Sequence, residues 1–189
     1  MNLQRINLKI FLEEWQVSPE DIFKIFNRWI SETSDEVLVD VADYSHVHAG
    51  PITLLVGHDA NYCIDNTGGE LGLLYARKQP LEGNLSARLR SIFARALNAC
   101  RRLELEPDLA GQIKFSGSEF LLVANDRLST AATEDLDKIL AADIDTLMQD
   151  LFKGAAFTAT KNTATRPTLH IKTEAKFDLA TLLENLAVN

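Results

Sequence analysis

Between Val37 and Arg77 the apolar residues come in short runs, each closed by a group that turns the chain. Val37, Val39 and Val41 alternate with Leu38, Asp40 and Ala42. Ala49-Gly50-Pro51 interrupts, and Ile52-Thr53-Leu54-Leu55-Val56 resumes. Gly57-His58-Asp59 breaks the pattern again before Tyr62-Cys63-Ile64, and Asn66-Thr67-Gly68-Gly69 precedes a last run from Leu71 to Ala76. Runs this short, bounded by glycine-bearing turns, suit strands rather than helices. The segment reads as a meander of three or four strands, so any fold for this chain has to be built around a sheet.

The flanking segments supply helices and further strands. Over residues 3–12, Ile6, Leu8, Ile10 and Leu12 fall on one side and Arg5, Asn7 and Lys9 on the other, a half-buried strand. Ser18 caps a helix with Pro19 at its first position and Glu20 and Asp21 against its positive end. Ile22, Phe23, Phe26, Trp29 and Ile30 form its apolar face, and Ser31 to Asp35 end it. A second helix over 85–103 carries Leu85, Leu89, Ile92, Phe93, Ala96, Leu97, Cys100 and Leu103 as one stripe. After a loop marked by Pro107 and Gly111, Ile113 to Phe115 and Glu119 to Ala124 read as a hairpin turning at Ser116-Gly117-Ser118. Thr133 caps a third helix that runs through Leu136, Ile139, Leu140, Ile144, Leu147, Met148 and Leu151, is divisible at Asp143 and stops at Gly154. Strands follow at Phe157 to Thr160 and Leu169 to Lys172, with Arg166-Pro167 suiting an edge. Asp178 caps a short last helix. Strand pairs followed by helices predict one α+β domain over 1–189, an antiparallel or mixed β-sheet with three to four helices packed on one or both faces.

The chain of 189 residues has a net charge of −8, which favours solubility and repels phosphate backbones, so nucleic acid is not expected as a partner. The opening Met1-Asn2-Leu3-Gln4-Arg5-Ile6 alternates polar with apolar and lacks the unbroken core of a secretory leader. Apolar runs such as Phe120 to Ala124 fall far short of a bilayer span, so no membrane association is expected. The two cysteines, Cys63 and Cys100, cannot make a disulfide scaffold, and they suit a cytoplasmic protein with reduced thiols.

Signatures for dinucleotides, nucleoside triphosphates, zinc proteases and nucleophile elbows are all missing. One polar segment stands out. His46, His48 and His58 lie close in sequence, with Asp40, Asp43, Tyr44, Asp59, Tyr62, Cys63 and Asp65 among them. Imidazole and carboxylate are common metal ligands, and an extended segment would send His46 and His48 to one face. A hairpin about Ala49-Gly50 works against the full cluster. It sets Val41 opposite His58, His46 opposite Thr53 and Asp40 opposite Asp59, which leaves His58 about 17 Å from His46 at the usual strand rise. No metal and no cofactor is therefore assigned. Asp43, Tyr44, His46, His48, His58, Asp59 and Tyr62 remain as candidate pocket or ligand-binding residues, beside the ordinary alternative of solvated loop side chains. Cys63 with His58 as nucleophile and base meets an odd spacing that alternates strand faces, and a packed strand cysteine is the plainer reading. Tyr44, Tyr62 and Tyr75 fit a pocket wall or core packing alike.

On the second helix Arg88, Arg95 and Arg102 recur every seventh residue and form a candidate anion contact. The third helix carries acidic residues from Glu134 to Asp150 that could meet these arginines within the fold or across subunits. The commoner role of such arginines is to lie beside an apolar face.

The runs Val39-Asp40-Val41-Ala42-Asp43-Tyr44-Ser45-His46-Val47, Leu55-Val56-Gly57-His58-Asp59-Ala60-Asn61-Tyr62 and Leu73-Leu74-Tyr75-Ala76-Arg77 resemble a family of uncharacterised bacterial cytosolic proteins. The resemblance covers about the first hundred residues and brings no activity, cofactor or residue role. Two functional expectations follow. The first is a non-enzymatic ligand-binding or protein-interaction domain that takes a small-molecule ligand or self-associates as a homodimer, pairing strands or helix faces. The alternative is a small metal-assisted hydrolase using the Asp/His/Tyr-rich segment 40–65.

Overall fold

The structure, a computed structural model, describes residues 3–109, 111–125, 133–162 and 167–187, with the backbone alone for 133–140. In chain order the elements are β1 (Ile6–Trp15), α1 (Pro19–Glu32), β2 (Leu38–Asp43), β3 (Pro51–Gly57), β4 (Ala60–Asp65), β5 (Gly72–Arg77), α2 (Leu85–Glu104), β6 (Ile113–Ala124), α3 (Thr133–Leu151), β7 (Phe157–Asn162), β8 (Thr168–Thr173) and α4 (Leu179–Ala187). The strands form one sheet in the order β2-β3-β4-β5-β1-β6-β8-β7, and every neighbouring pair is antiparallel. With four helices packed on it, the fold is α+β.

The meander read from Val37 to Arg77 is β2 to β5, and it ends against β1. β1 lies inside the sheet, between β5 and β6, which explains why both its faces are buried from Ile6 to Phe11. Leu55, Tyr62, Tyr75, Leu8 and Leu122 are register partners across five strands and share one face. The helices cover that face. Ile22, Ile25, Phe26 and Trp29 of α1 and Leu89, Ile92, Phe93, Ala96 and Leu97 of α2 enter the same apolar cluster. Phe93 meets Phe120 of β6 edge-on, ring centres 5.5 Å apart, and Phe152 at the end of α3 stacks on Phe120 at 6.0 Å.

Capping follows the sequence signals. The Ser18 side chain accepts from the Asp21 amide at 3.2 Å, and Asp178 accepts from the Thr181 amide at 2.7 Å. Gly154 takes the left-handed conformation after α3, with φ of 79°.

Several expectations are corrected. In α1 the core position after Ile22 belongs to Ile25, while Phe23 is exposed. A bulge between Leu38 and Asp40 turns Leu38 and Val41 inward and leaves Val37 and Val39 exposed, so the simple alternation of valines fails. The β2–β3 register places Val41 opposite Leu55 and Asp40 opposite Val56, because residues 44–50 form a loop rather than strand. Ser116-Gly117-Ser118 is no hairpin turn. It is a wide bulge inside the single strand β6: Ile10 pairs with Phe120 and Leu12 with Phe115, so Phe11 alone spans Ser116 to Glu119. Helix α3 is continuous through Asp143. Its residues Leu136, Ile139 and Leu140 have side chains outside those described. The strand after Pro167 is interior, flanked by β6 and β7, and the edge is β7; Arg166 lies outside the described residues.

Candidate functional site

Of the three arginines of the α2 stripe, Arg88, Arg95 and Arg102, two reach a common cleft. Ser91, Ala94, Arg95, Asn98, Ala99 and Arg102 recur at helical spacing along one side of α2. Small residues at 91, 94 and 99 leave room between α2 and α1. Trp29 and Thr33 at the end of α1, Asp35 and Glu36 in the link to β2, and Tyr62 on β4 close the other walls around about 540 Å³.

Trp29 is the fixed wall. Its indole nitrogen donates to Glu106 at 2.7 Å, and Glu106 is itself buried and paired with Arg28. Arg102 lies over the indole with its guanidinium carbon 4.2 Å from the ring centre. It also donates to Thr33 Oγ1 at 2.8 Å and to Glu32 at 2.9 Å. Arg95 donates to Asp35 at 2.6 Å. The Tyr62 hydroxyl donates to the Glu36 carboxylate at 2.9 Å and packs edge-on against Tyr75 at 5.3 Å.

The electrostatics follow from these pairs. The Arg95 hydrogen bond holds the Asp35 carboxyl below its ordinary range against the opposing effect of burial. Burial, reinforced by the Glu36 carboxylate, pushes the Tyr62 phenol well above its ordinary value. Burial pulls the Arg95 guanidinium down, yet Asp35 and Glu36 together raise it. Asp35 thus stays ionised and Tyr62 neutral around neutral pH.

No family model matches this chain, and no curated protein or solved structure does.

The histidine-rich segment is not gathered. His46 and His48 stand exposed in the β2–β3 loop, where the Tyr44 and His46 rings lie 6.4 Å apart. Asp43 accepts from the Ser45 amide at 2.8 Å, and this bond lowers its carboxyl pKa. His58 and Asp59 occupy the β3–β4 turn at the other end of the hairpin, joined by a 2.8 Å contact that holds Asp59 below its usual range. Among the described residues no group of three or more His, Cys, Asp or Glu side chains could share a metal ion. Of the seven candidates in this segment only Tyr62 lines the cleft. Cys63 is buried, donates to the Ile64 carbonyl at 3.2 Å, and its thiol is pushed up to about 12 by burial and by Asp65. It fits the reading of a packed strand cysteine.

Arg88 does not join the cleft; it donates to the Leu3 carbonyl at 3.3 Å. From the acidic face of α3, Asp150 pairs with Arg90. Sequence reasoning missed Trp29, Thr33, Asp35, Glu36, Ser91, Ala94 and Asn98. The spacing of 91, 95, 98 and 102 on α2 held a readable signal, since these positions share one helix side. Asp35 and Glu36 come from a loop, and only tertiary packing brings them there.

Proposed function

We propose that this chain is a non-enzymatic binding domain that holds a small organic anion in the cleft between α1, α2 and β4. The observation that carries this reading is the convergence of Arg95 and Arg102 on one cleft, where the carboxylates that pair with them directly among the described residues, Asp35 and Glu32, are exposed. Asp35 and Glu32 are 68% and 48% exposed in their side chains. Ion pairs of that kind contribute about 0–1 kcal/mol, so an incoming carboxylate or phosphate exchanges for them at small cost. Guanidinium groups bind such anions through paired donors, and Trp29 and Tyr62 offer apolar surface beside them. The protonation states favour binding over proton transfer: Asp35 is held low and Tyr62 high, away from the neutral range that general acid–base chemistry uses. A bacterial cytosolic setting belongs to the same proposal, and the two buried free thiols suit a reducing compartment.

Trp29 is one of only two tryptophans, so a Trp15→Phe variant makes it the sole reporter. Titrating that variant with inorganic phosphate, citrate and an uncharged sugar tests the reading. A saturable change in Trp29 emission with the anions, absent with the sugar and abolished by Arg95→Ala, is expected. Flat emission and an unmoved melting temperature with every anion would remove it.

A further inference from the structure

The carboxylates around the α1–α2 cleft are not all balanced. Asp35 pairs with Arg95 at 2.6 Å, Glu32 with Arg102 at 2.9 Å, and Glu106 with Arg28. Glu36, half-buried in the wall next to Asp35, has no basic side chain within ion-pair distance among the described residues. The Tyr62 hydroxyl reaches its two carboxylate oxygens at 2.9 and 3.1 Å. A carboxylate has about four lone-pair positions, so Glu36 keeps room for further donors. Asn98, one turn from Arg95 on α2, donates its amide to the Ala94 carbonyl at 2.8 Å, which leaves its own oxygen to accept. Acceptors for a cation thus line the same cleft as a guanidinium for an anion. The two positions are neighbours, since Asp35 and Glu36 both act on Arg95 strongly enough to raise its pKa.

An incoming carboxylate that takes Arg95 releases Asp35. A bare anion then leaves two adjacent carboxylates, Asp35 and Glu36, with no cation, and like charges this close repel. A ligand that also brings an ammonium group meets both. We propose that the ligand of this cleft is a zwitterionic amino acid, its carboxylate on Arg95 and its ammonium on Glu36 and the released Asp35. This rests on the reading of the cleft as an anion site and names the kind of anion. An α-amino acid carries both charges on one carbon at neutral pH, as neighbouring anion and cation positions require. The chain's net charge of −8 opposes a bare anion at long range but not a ligand whose own charges cancel.

Isothermal titration of the unaltered protein with matched ligands tests the proposal. The pairs are glutamate with glutarate, leucine with 4-methylpentanoate and phenylalanine with 3-phenylpropionate, which differ only in the ammonium group. In at least one pair the amino acid is expected to bind about ten-fold tighter or more, the worth of a charge-assisted hydrogen bond. Glu36→Gln, which keeps an acceptor for Tyr62, is expected to remove most of that advantage without weakening the deaminated ligand. Should that variant misfold, the matched pairs on the unaltered protein decide alone. Amino acids that gain nothing over their analogues in every pair overturn the zwitterion, while phosphate or citrate binding would leave the anion site standing. No binding of any of these ligands, phosphate and citrate included, overturns both.

Discussion

Lys9 reaches Asp65 across an intervening strand: its ammonium stands 2.7 Å from the carboxylate although β5 separates β1 from β4. The side chain passes over Gly72, where a Cβ would lie 3.1 Å from Lys9 Cε and 2.5 Å from the Ile10 carbonyl oxygen. Asp65 also accepts from the Thr67 amide at 3.1 Å and its hydroxyl at 2.8 Å. The pair is 3% and 6% exposed, so neither charge has water to fall back on.

Removing one member leaves the other buried and uncompensated. Lys9→Ala is expected to lower unfolding free energy by about 3–5 kcal/mol. Lys9→Met combined with Asp65→Asn, which keeps an acceptor for Thr67, should recover most of that loss. Urea unfolding of the three proteins checks it, and a loss below about 1 kcal/mol for Lys9→Ala would class the pair with weak surface bridges.

The α+β architecture and the meander were legible because period-two runs and glycine turns are local signals, and so were the Ser18 and Asp178 caps. Three features were not. Gly117 looks like a hairpin glycine in sequence, since Ser-Gly-Ser marks a turn wherever it occurs. Its actual use depends on the segment before α4, which crosses it from some sixty residues away. The inward turn of Leu38 depends on a bulge that no alternation pattern reveals. In the cleft, Arg95 and Arg102 were visible as a stripe, but nothing local tells which of Asp35, Glu32 or the α3 acids will meet them.

At Gly117 an added Cβ would sit 2.0 Å from the Phe177 carbonyl oxygen, a backbone atom that cannot swing aside. Ser116 and Ser118 fasten the bulge around it, and the Phe115 amide donates to Glu104 at 2.7 Å. Gly117→Ala must push α4 and Phe177 off the sheet, and Phe177 stacks with Phe152 at 5.5 Å. A cost of about 3 kcal/mol or more is expected, at the upper end for overpacking. Thermal unfolding measures it, with Gly111→Ala, whose site has open space but a positive φ, as a milder comparison.

The Asp35–Arg95 pair gives the cleft a pH dependence of known sign. The folded carboxyl lies below its ordinary 3.8, so the pair's contribution is present above that value and is lost as pH falls through the lower, folded one. For sulfate, which keeps its charge from neutral into mildly acid solution, the affinity around neutral pH should be nearly flat. In acid, protonation of Asp35 frees Arg95, and sulfate should bind more tightly while the protein becomes less stable. Asp35→Asn should reproduce the tighter binding at neutral pH by about two- to five-fold, because an exposed pair of this kind is worth at most about 1 kcal/mol. Isothermal titration of both proteins across the acid range separates this from a cleft in which Asp35 plays no part.

Thiol chemistry reports on the packing of both sheet faces at once. Cys100, on the core side of α2, is wholly buried, and burial raises its thiol well above the ordinary value. Cys63 lies on the other face, where burial and Asp65 push it up to about 12. The thiolate is the species that reacts, so at mildly alkaline pH both cysteines should resist alkylation far below the rate of a free thiol. Their labelling rates should rise with urea along separate curves, because Cys100 needs the helix layer to open whereas Cys63 needs only the helix-free face to loosen. Mass spectrometry of alkylated peptides resolves the two positions, and equal rates at every urea concentration would show that the two faces open as one unit.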